Sequence, residues 1–378
     1  EFHFFIMKYL FFCIFMLLVG NGFSQSPLFQ SNSRTVLGVG KEKSASVASG
    51  DIDGDGDLDL LVANGRHWPD YNDVYFNNGL GIFTVARHLD DIRATTYATE
   101  LADLDGDGDL DIAVGNDMAP NALYFNDGKG NFSRGQSFGA LYSPTRNLKV
   151  VDIDMDGDMD ILITNRGRSN EICLNDGKGG FDEVVAFGSA DDSTIDVDVA
   201  DIDMDGDNDL VLANRDKQQN YIYLNDGYLS FEDRIEFGTG NDETRSGGVA
   251  DINKDGHLDI ITANIRERNV IYFGSKDIDF SKHVAFDINE YASYSLDIGD
   301  INGDGELDIV IANSRRPNQV FLNIDKGAQW KVVTLREADF ATYDIILSDL
   351  NNDNRLDIIE SNSDELNYYY FNREGKEK

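Results

Sequence analysis

Residues 51–60 read DIDGDGDLDL. Asp51, Asp53, Asp55, Asp57 and Asp59 alternate with Ile52, Gly54, Gly56 and Leu58. Like charges this close repel one another, so a folded segment of this kind needs a neutralising partner. In the spacing Asp-x-Asp-x-Asp-Gly-x-x-Asp, carboxylates at positions 1, 3 and 5 of a tight loop converge on one centre. Glycine at position 6 permits the positive φ of the sharp turn. Position 7 offers a main-chain carbonyl, and position 9 closes the cage. An all-oxygen set of six or seven ligands suits calcium rather than zinc or magnesium.

The stretch recurs six times. The second copy carries Asp103, Asp105, Asp107, Asp109 and Asp111; the third Asp152, Asp154, Asp156, Asp158 and Asp160; the fourth Asp201, Asp203, Asp205, Asp207 and Asp209. The fifth has Asp251, Asn253, Asp255, His257 and Asp259, the sixth Asp300, Asn302, Asp304, Glu306 and Asp308, and the seventh Asp349, Asn351, Asp353, Arg355 and Asp357. Successive starts are 52, 49, 49, 50, 49 and 49 residues apart. A period near 50 is the signature of a propeller or solenoid. Two further features keep the same phase. An asparagine follows each start by 13 residues, from Asn64 to Asn362, and a Ser or Thr precedes it by seven, from Ser44 to Thr342.

Each unit reads as four short strands. Apolar alternation precedes the acidic loop, and a β-branched run such as LDIVIAN follows it. Third and fourth runs such as QVFLN and GIFTVARHL complete the unit. No segment has helical periodicity. The expected fold is all-β, a seven-bladed propeller of four-stranded blades. The seventh unit has three strands, and LFQSNSRTVL before the first unit can supply the fourth. That would close the ring and leave no open edge.

The loops are not EF-hands. Position 12 is Val62, Val114, Ile163, Leu212, Thr262, Ile311 or Glu360 instead of a uniform bidentate glutamate, and strands flank the loop. They hold 30 of the 69 acidic residues, and seven calcium ions would bring the formal charge from −37 to −23. Asn253, Asn302 and Asn351 at position 3 leave fewer carboxylates in the last three loops, and Asn354 replaces glycine in the seventh. The seventh site is expected to be weakest.

The net charge argues against a nucleic-acid partner. At the N-terminus, Met7–Lys8 reads as the true start, with residues 1–6 upstream of it. Tyr9 to Val19 forms a short apolar run, and Gly22-Phe23-Ser24 suits a cleavage site before Gln25. Residues 1–24 are therefore expected to be a signal peptide and 25–378 one propeller, secreted, at the cell surface or periplasmic, and monomeric. Cys173 is the single cysteine left in the mature chain, so no internal disulfide forms. Metal binding would then contribute the folding energy that disulfides supply elsewhere.

DIDGDGDLDLLVAN, the YFN that ends the third run, and LNDGKGGF resemble the FG-GAP/VCBS-type repeats of the integrin α-subunit propeller and its bacterial relatives. The resemblance spans about residues 28–372. It implies structural calcium in the loop between first and second strands. It says little about function, since such propellers include adhesion receptors, lectins and carbohydrate-active enzymes.

Loops between second and third strands fall on the opposite face, because successive strands reverse direction. They carry Arg66, His67 and Trp68, then Arg166, Arg168, Arg215, Lys217, Arg266, Arg268, Arg315 and Arg316. The first strands begin at the same face with Tyr97, Arg146, Arg245, Tyr294 and Tyr343. One reading is local balancing of acids such as Asp216 and Glu267. The other is a binding face: arginine pairs with carboxylate or sulfate, and aromatic faces stack on sugars or peptide aromatics. An extracellular glycan or glycoprotein would fit. A polysaccharide lyase or glycosidase is the alternative, with His67, Tyr97 and Arg146 as a conceivable set. No spacing rule links these three, and fold alone does not give activity.

Overall fold

The computed structural model describes residues 28–373, and the expected signal peptide lies outside them. The described residues form seven antiparallel sheets, each from one repeat, in the order first, second, third, fourth strand. The first strands, among them Ser46–Gly50, Thr96–Ala102 and Thr342–Ser348, line a common central channel. The seven four-stranded blades make a propeller ring. In the seventh sheet the outer position is taken by Phe29–Gln30 and Val36–Leu37, which pair with Asn367–Asn372. Among the described residues no helix is long and apolar enough to cross a membrane.

Second strands read as unbroken apolar runs because they are covered on both faces. Asp160–Asn165 and Asp308–Asn313 are buried along their whole length. The apolar clusters lie between blades. Ile52, Leu61, Val74 and Phe76 of blade 1 pack on Ile112, Val114 and Tyr124 of blade 2. Leu37, Tyr369 and Leu350 pack on Val47, Leu60 and Val62, so blade 7 meets blade 1 in the same way.

The in-phase asparagines and hydroxyls form a relay between blades. In all seven blades the asparagine after the loop donates its main-chain NH to an Asn side chain that opens the third strand, at 2.6 to 2.9 Å. That second Asn reaches onward: Asn72 Nδ2 donates to Thr96 Oγ1 of the next blade at 3.0 Å. Asn367 Nδ2 of blade 7 donates to Ser44 Oγ of blade 1 at 3.0 Å. The hydroxyl passes the bond to its own blade, as when Ser44 Oγ donates to Asn64 Oδ1 at 2.7 Å. These polar groups are buried and need such partners.

The channel adds carboxylate staples. Asp198 Oδ2 accepts Val249 NH at 2.9 Å, Asp297 Oδ2 accepts Leu347 NH at 2.8 Å, and Asp344 Oδ2 accepts Val47 NH at 3.0 Å. Each spans two neighbouring blades.

Candidate functional site

The acidic loops join the first and second strands of each blade, on one face of the ring. Three sets of internal bonds recur in all seven. The position-1 carboxylate accepts the position-6 NH, as Asp51 Oδ2 does from Gly56 at 3.0 Å. The position-5 carboxylate accepts the position-7 NH, as Asp55 Oδ1 does from Asp57 at 3.0 Å. The position-9 aspartate is buried and accepts two main-chain NH groups: Asp59 takes Ile52 at 3.1 Å and Asn77 at 2.8 Å. Gly157 and Gly206, at φ of 102° and 106°, show why position 6 is glycine. Asn354 holds the same turn at φ 61°.

In blades 1 to 4 the carboxylates at positions 1, 3 and 9 converge, with ligand oxygens within 4.8 Å of one another. Asp51 Oδ1, Asp53 Oδ1, Asp152 Oδ1 and Asp201 Oδ1 are buried with no hydrogen-bond partner. Orphaned anionic oxygens aimed at one point suit a hard cation, so these clusters could hold metal ions. Burial first, and neighbouring aspartates further down, push Asp59, Asp111, Asp160 and Asp209 up to about 6.

The later loops differ. Asn253 Oδ1 and Asn351 Oδ1 keep the orphaned oxygen at position 3. Asn302 instead turns inward on its own loop: Oδ1 accepts Asp304 NH at 2.8 Å and Nδ2 donates to Asp304 Oδ2 at 2.9 Å. The position-7 side chains stand outside the clusters. Asp57 lies over the outer turn, where a Cβ on Gly79 would come within 2.7 Å of its Oδ2. Glu306 takes the Lys254 ammonium from the preceding loop at 3.0 Å.

On the opposite face the predicted residues meet at the channel mouth. Arg245 lies 5.6 Å from the Tyr294 ring centre, and the Tyr294 and Tyr343 rings are 4.6 Å apart, edge to face. Arg66 stacks on Tyr343 at 3.6 Å. Its Nη1 is 3.2 Å from His67 Nε2, and the Tyr97 hydroxyl is 2.9 Å from His67 Nδ1. Arg146 completes the belt 4.5 Å from the Tyr97 ring centre. The belt thus runs through blades 5, 6, 7, 1, 2 and 3, and buried Ile195 fills the equivalent place in blade 4. Burial, then the charges of Arg66 and Arg146, hold His67 below the usual histidine range. Burial pushes Tyr343 up to about 12 and Tyr97 upward as well. The belt therefore holds guanidinium groups, an imidazole of lowered pKa and intact phenols, with Tyr97 buried and Arg146 already paired with Asp117.

The rim residues divide. Arg166 forks onto Asp216 with two bonds of 2.9 Å. Arg215 lies 3.4 Å from Asp216 and 3.9 Å from Glu243. These two are locally balanced. Arg168, Arg266, Arg268, Arg315 and Arg316 are exposed, as is Trp68. None of these arginines has a carboxylate partner among the described residues.

Three features escaped the sequence reading. Asp117 pairs with Arg146 at 2.8 Å. Behind the belt lies a channel of about 480 Å³ lined by Glu100, Asp196, Asp198, Asp297 and Asp344 together with Lys149. The alternation of polar residues along the first strands carried that signal. Glu360 sits in the core of blade 7, where other blades have an apolar or hydroxyl residue, and accepts bonds from Asn318, Asn362 and Tyr370.

The family description FG-GAP-like repeat matches residues 51–114, 103–163, 152–212, 201–262, 251–311 and 300–360. A search of curated proteins found no match. Among solved structures, the crystal structure of BBS1N in complex with ARL6DN, soaked with lead, matches with a TM-score of 0.62 and 11% identity, covering 92% of this chain and 98% of that one. The same complex soaked with mercury gives the same values. At that identity the likeness shows the fold alone.

Proposed function

The chain belongs to the FG-GAP-like repeat family, and from that premise we propose that it is a secreted, calcium-stabilised binding or adhesion module for an anionic extracellular ligand, a glycan or glycoprotein. The observation that carries this reading is the belt at the channel mouth, in which Arg245, Arg66 and Arg146 each stand beside a tyrosine ring, Tyr294, Tyr343 and Tyr97 in turn. Guanidinium groups recognise carboxylate or sulfate, and the rings between them stack on apolar faces. A solved neighbour of the same fold is described as a complex with a protein partner. Calcium is supported by the donor chemistry: converging carboxylates with buried, unpartnered oxygens. These residues would hold the ion, which would tie loop to strand and offset the packed negative charge.

The test is retention on immobilised polyuronate and sulfated glycans in calcium, comparing wild type with Tyr294→Ala and Arg245→Ala. Retention that drops at least tenfold in both variants, with glycan length unchanged, supports binding. Equal retention would sink the belt as the site. Export is checked by sequencing the N-terminus of protein recovered outside the cytoplasm, where Gln25 is the expected first residue.

One observation favours a second reading, a polysaccharide lyase. His67, Tyr97 and Arg146, unlinked by any sequence rule, are in direct contact. A neutral histidine hydrogen-bonded to a tyrosine beside an arginine can move a proton near a bound uronate. Release of unsaturated ends absorbing in the near ultraviolet would establish that activity.

A further inference from the structure

Folding accounts for the aspartates of the central channel and leaves one carboxylate over. Asp196 accepts Ser246 Oγ at 2.9 Å and Gly247 NH at 3.1 Å from the next blade. Asp297 accepts Ile298 NH and Leu347 NH, each at 2.8 Å. Asp344 accepts Ser295 Oγ and Val47 NH, and Asp198 holds Val249 NH and the Lys149 ammonium. Glu100 stands in the register of Asp198 and Asp297, three residues before its acidic loop. It makes no hydrogen bond or ion pair among the described residues. Lys149, on the blade between Glu100 and Asp198, pairs with Asp198 alone. The ring encloses Glu100, and the surface it still offers to water faces the channel. An enclosed carboxylate without a partner costs stability. The fold does not demand it, since Ala48, Gly248 and Ile346 fill the same register in other blades.

The shape of the charge narrows the occupant. Five carboxylates and one ammonium line about 480 Å³, so the space favours a cation. A dehydrated metal ion needs oxygens that converge on one point. Among the described residues, the carboxylates that converge within 4.8 Å are those of the acidic loops. The channel carboxylates stand instead in two layers, Asp196 and Asp344 in one, Glu100, Asp198 and Asp297 in the other. The layers are two residues of strand apart, about 6.6 Å. A chain of ammonium groups suits that arrangement. It donates N–H bonds at separate heights, a butane spacer spans the interval, and its methylenes find apolar wall at Ala48 and Ile346. The two ends of the channel also differ. Arg245 stands at the belt end, close enough to bear on the charge of Asp196 and Asp344, and repels a cation there. At the other end the first strands finish on small residues, Gly50, Ala102, Ala200, Ala250 and Gly299, beside the acidic loops.

We propose that the central channel binds a linear organic polyamine, which enters from the acidic-loop face and sets one ammonium on Glu100 and another in the layer of Asp196 and Asp344. The site is separate from the belt and goes beyond the binding-module reading. Glu100 is its anchor, because it alone among the channel carboxylates has its full acceptor capacity free. The aspartates, held by the neighbouring blades, supply fixed negative charge around the chain.

The experiment titrates spermidine calorimetrically into the calcium-loaded chain at pH 8 and fixed ionic strength, with potassium and magnesium chloride as separate probes. The expected result is one saturable spermidine site per chain that weakens at least tenfold in Glu100→Gln, an isosteric change. The unfolding midpoint should rise with spermidine in wild type and stay fixed in the variant. A wild-type crystal soaked in spermidine should show the amine along the ring axis, a readout that involves no variant. Equal affinity in the two proteins would put the amine on the acidic loops and overturn the proposal. Absence of saturable binding, or a soaked crystal whose channel holds no amine, would do the same. Displacement of spermidine by an equal concentration of potassium or magnesium also overturns it, since an inorganic cation would then be the ligand. Glycan retention reads the belt and not the channel, so the two readings fail separately.

Discussion

Asp344 in the first strand of blade 7 accepts the main-chain NH of Val47 in the first strand of blade 1 at 3.0 Å. Its other oxygen accepts Ser295 Oγ of blade 6 at 2.7 Å. One carboxylate thus joins three blades across the place where the chain's two ends meet. Replacing it with alanine leaves a buried NH without a partner, which costs about 1–3 kcal/mol. Asp344→Ala should lower the denaturant midpoint by that amount, and Asp344→Asn, which keeps an acceptor, by less than half as much. Equal loss in the two variants would show that charge, not hydrogen bonding, is what the position supplies.

Glu100 faces Lys149, Asp196 and Asp344 across the channel, and burial pushes its carboxyl up to about 7. The folded protein therefore holds a proton there that the unfolded chain releases above about 4.3. Stability from this group is complete below that value and is lost as pH rises through about 7. Gln mimics the protonated form, and Lys149 keeps Asp198 at 2.8 Å. In saturating calcium, Glu100→Gln should be the more stable protein at pH 8, by roughly 3 kcal/mol, with no difference at pH 4. Parallel unfolding curves across that range would contradict the assignment.

Arg66 lies 3.6 Å from the Tyr343 ring centre and is half-buried at the rim. An exposed cation–π pair contributes about 0.5–1 kcal/mol. Arg66→Ala should therefore move the midpoint no more than that while abolishing retention of the anionic ligand. A large stability loss would make the belt a structural clasp.

The repeat made most of the fold legible. The period, the acidic loops and the phase of Asn64 and Ser44 follow from spacing alone. What the asparagines do was hidden, because the bond from Asn367 to Ser44 joins residues 323 apart in the chain. The same limit applied at the mouth. His67 and Tyr97 are 30 residues apart and belong to different blades, so their contact depends on blade twist that no motif encodes. The acidic channel lay in view as alternate polar residues of the first strands, but alternation says only which face a side chain takes. It does not say that seven such faces meet on one axis. For the rim, local balance and ligand binding were both open, and the geometry divides them: Arg166 is forked onto Asp216, whereas Arg315 has no carboxylate partner among the described residues.

The acidic loops set the last expectation. Blades 1 to 4 each bring three carboxylates together, while blades 5 to 7 offer an amide at position 3. An amide oxygen is a weaker calcium ligand than a carboxylate, because it brings no charge to offset desolvation of the ion. Calorimetric titration of chelator-stripped protein should then resolve about four tighter sites and a weaker set, with the unfolding midpoint rising mainly as the first group fills. Asp154→Asn should shift one ion from the tight to the weak class, and Asn302→Asp should do the reverse despite the bonds that Asn302 makes to Asp304. Seven equivalent sites would mean that position 3 does not govern affinity. No calcium-dependent rise in midpoint would mean that the orphaned oxygens of Asp51, Asp53, Asp152 and Asp201 serve something other than a cation.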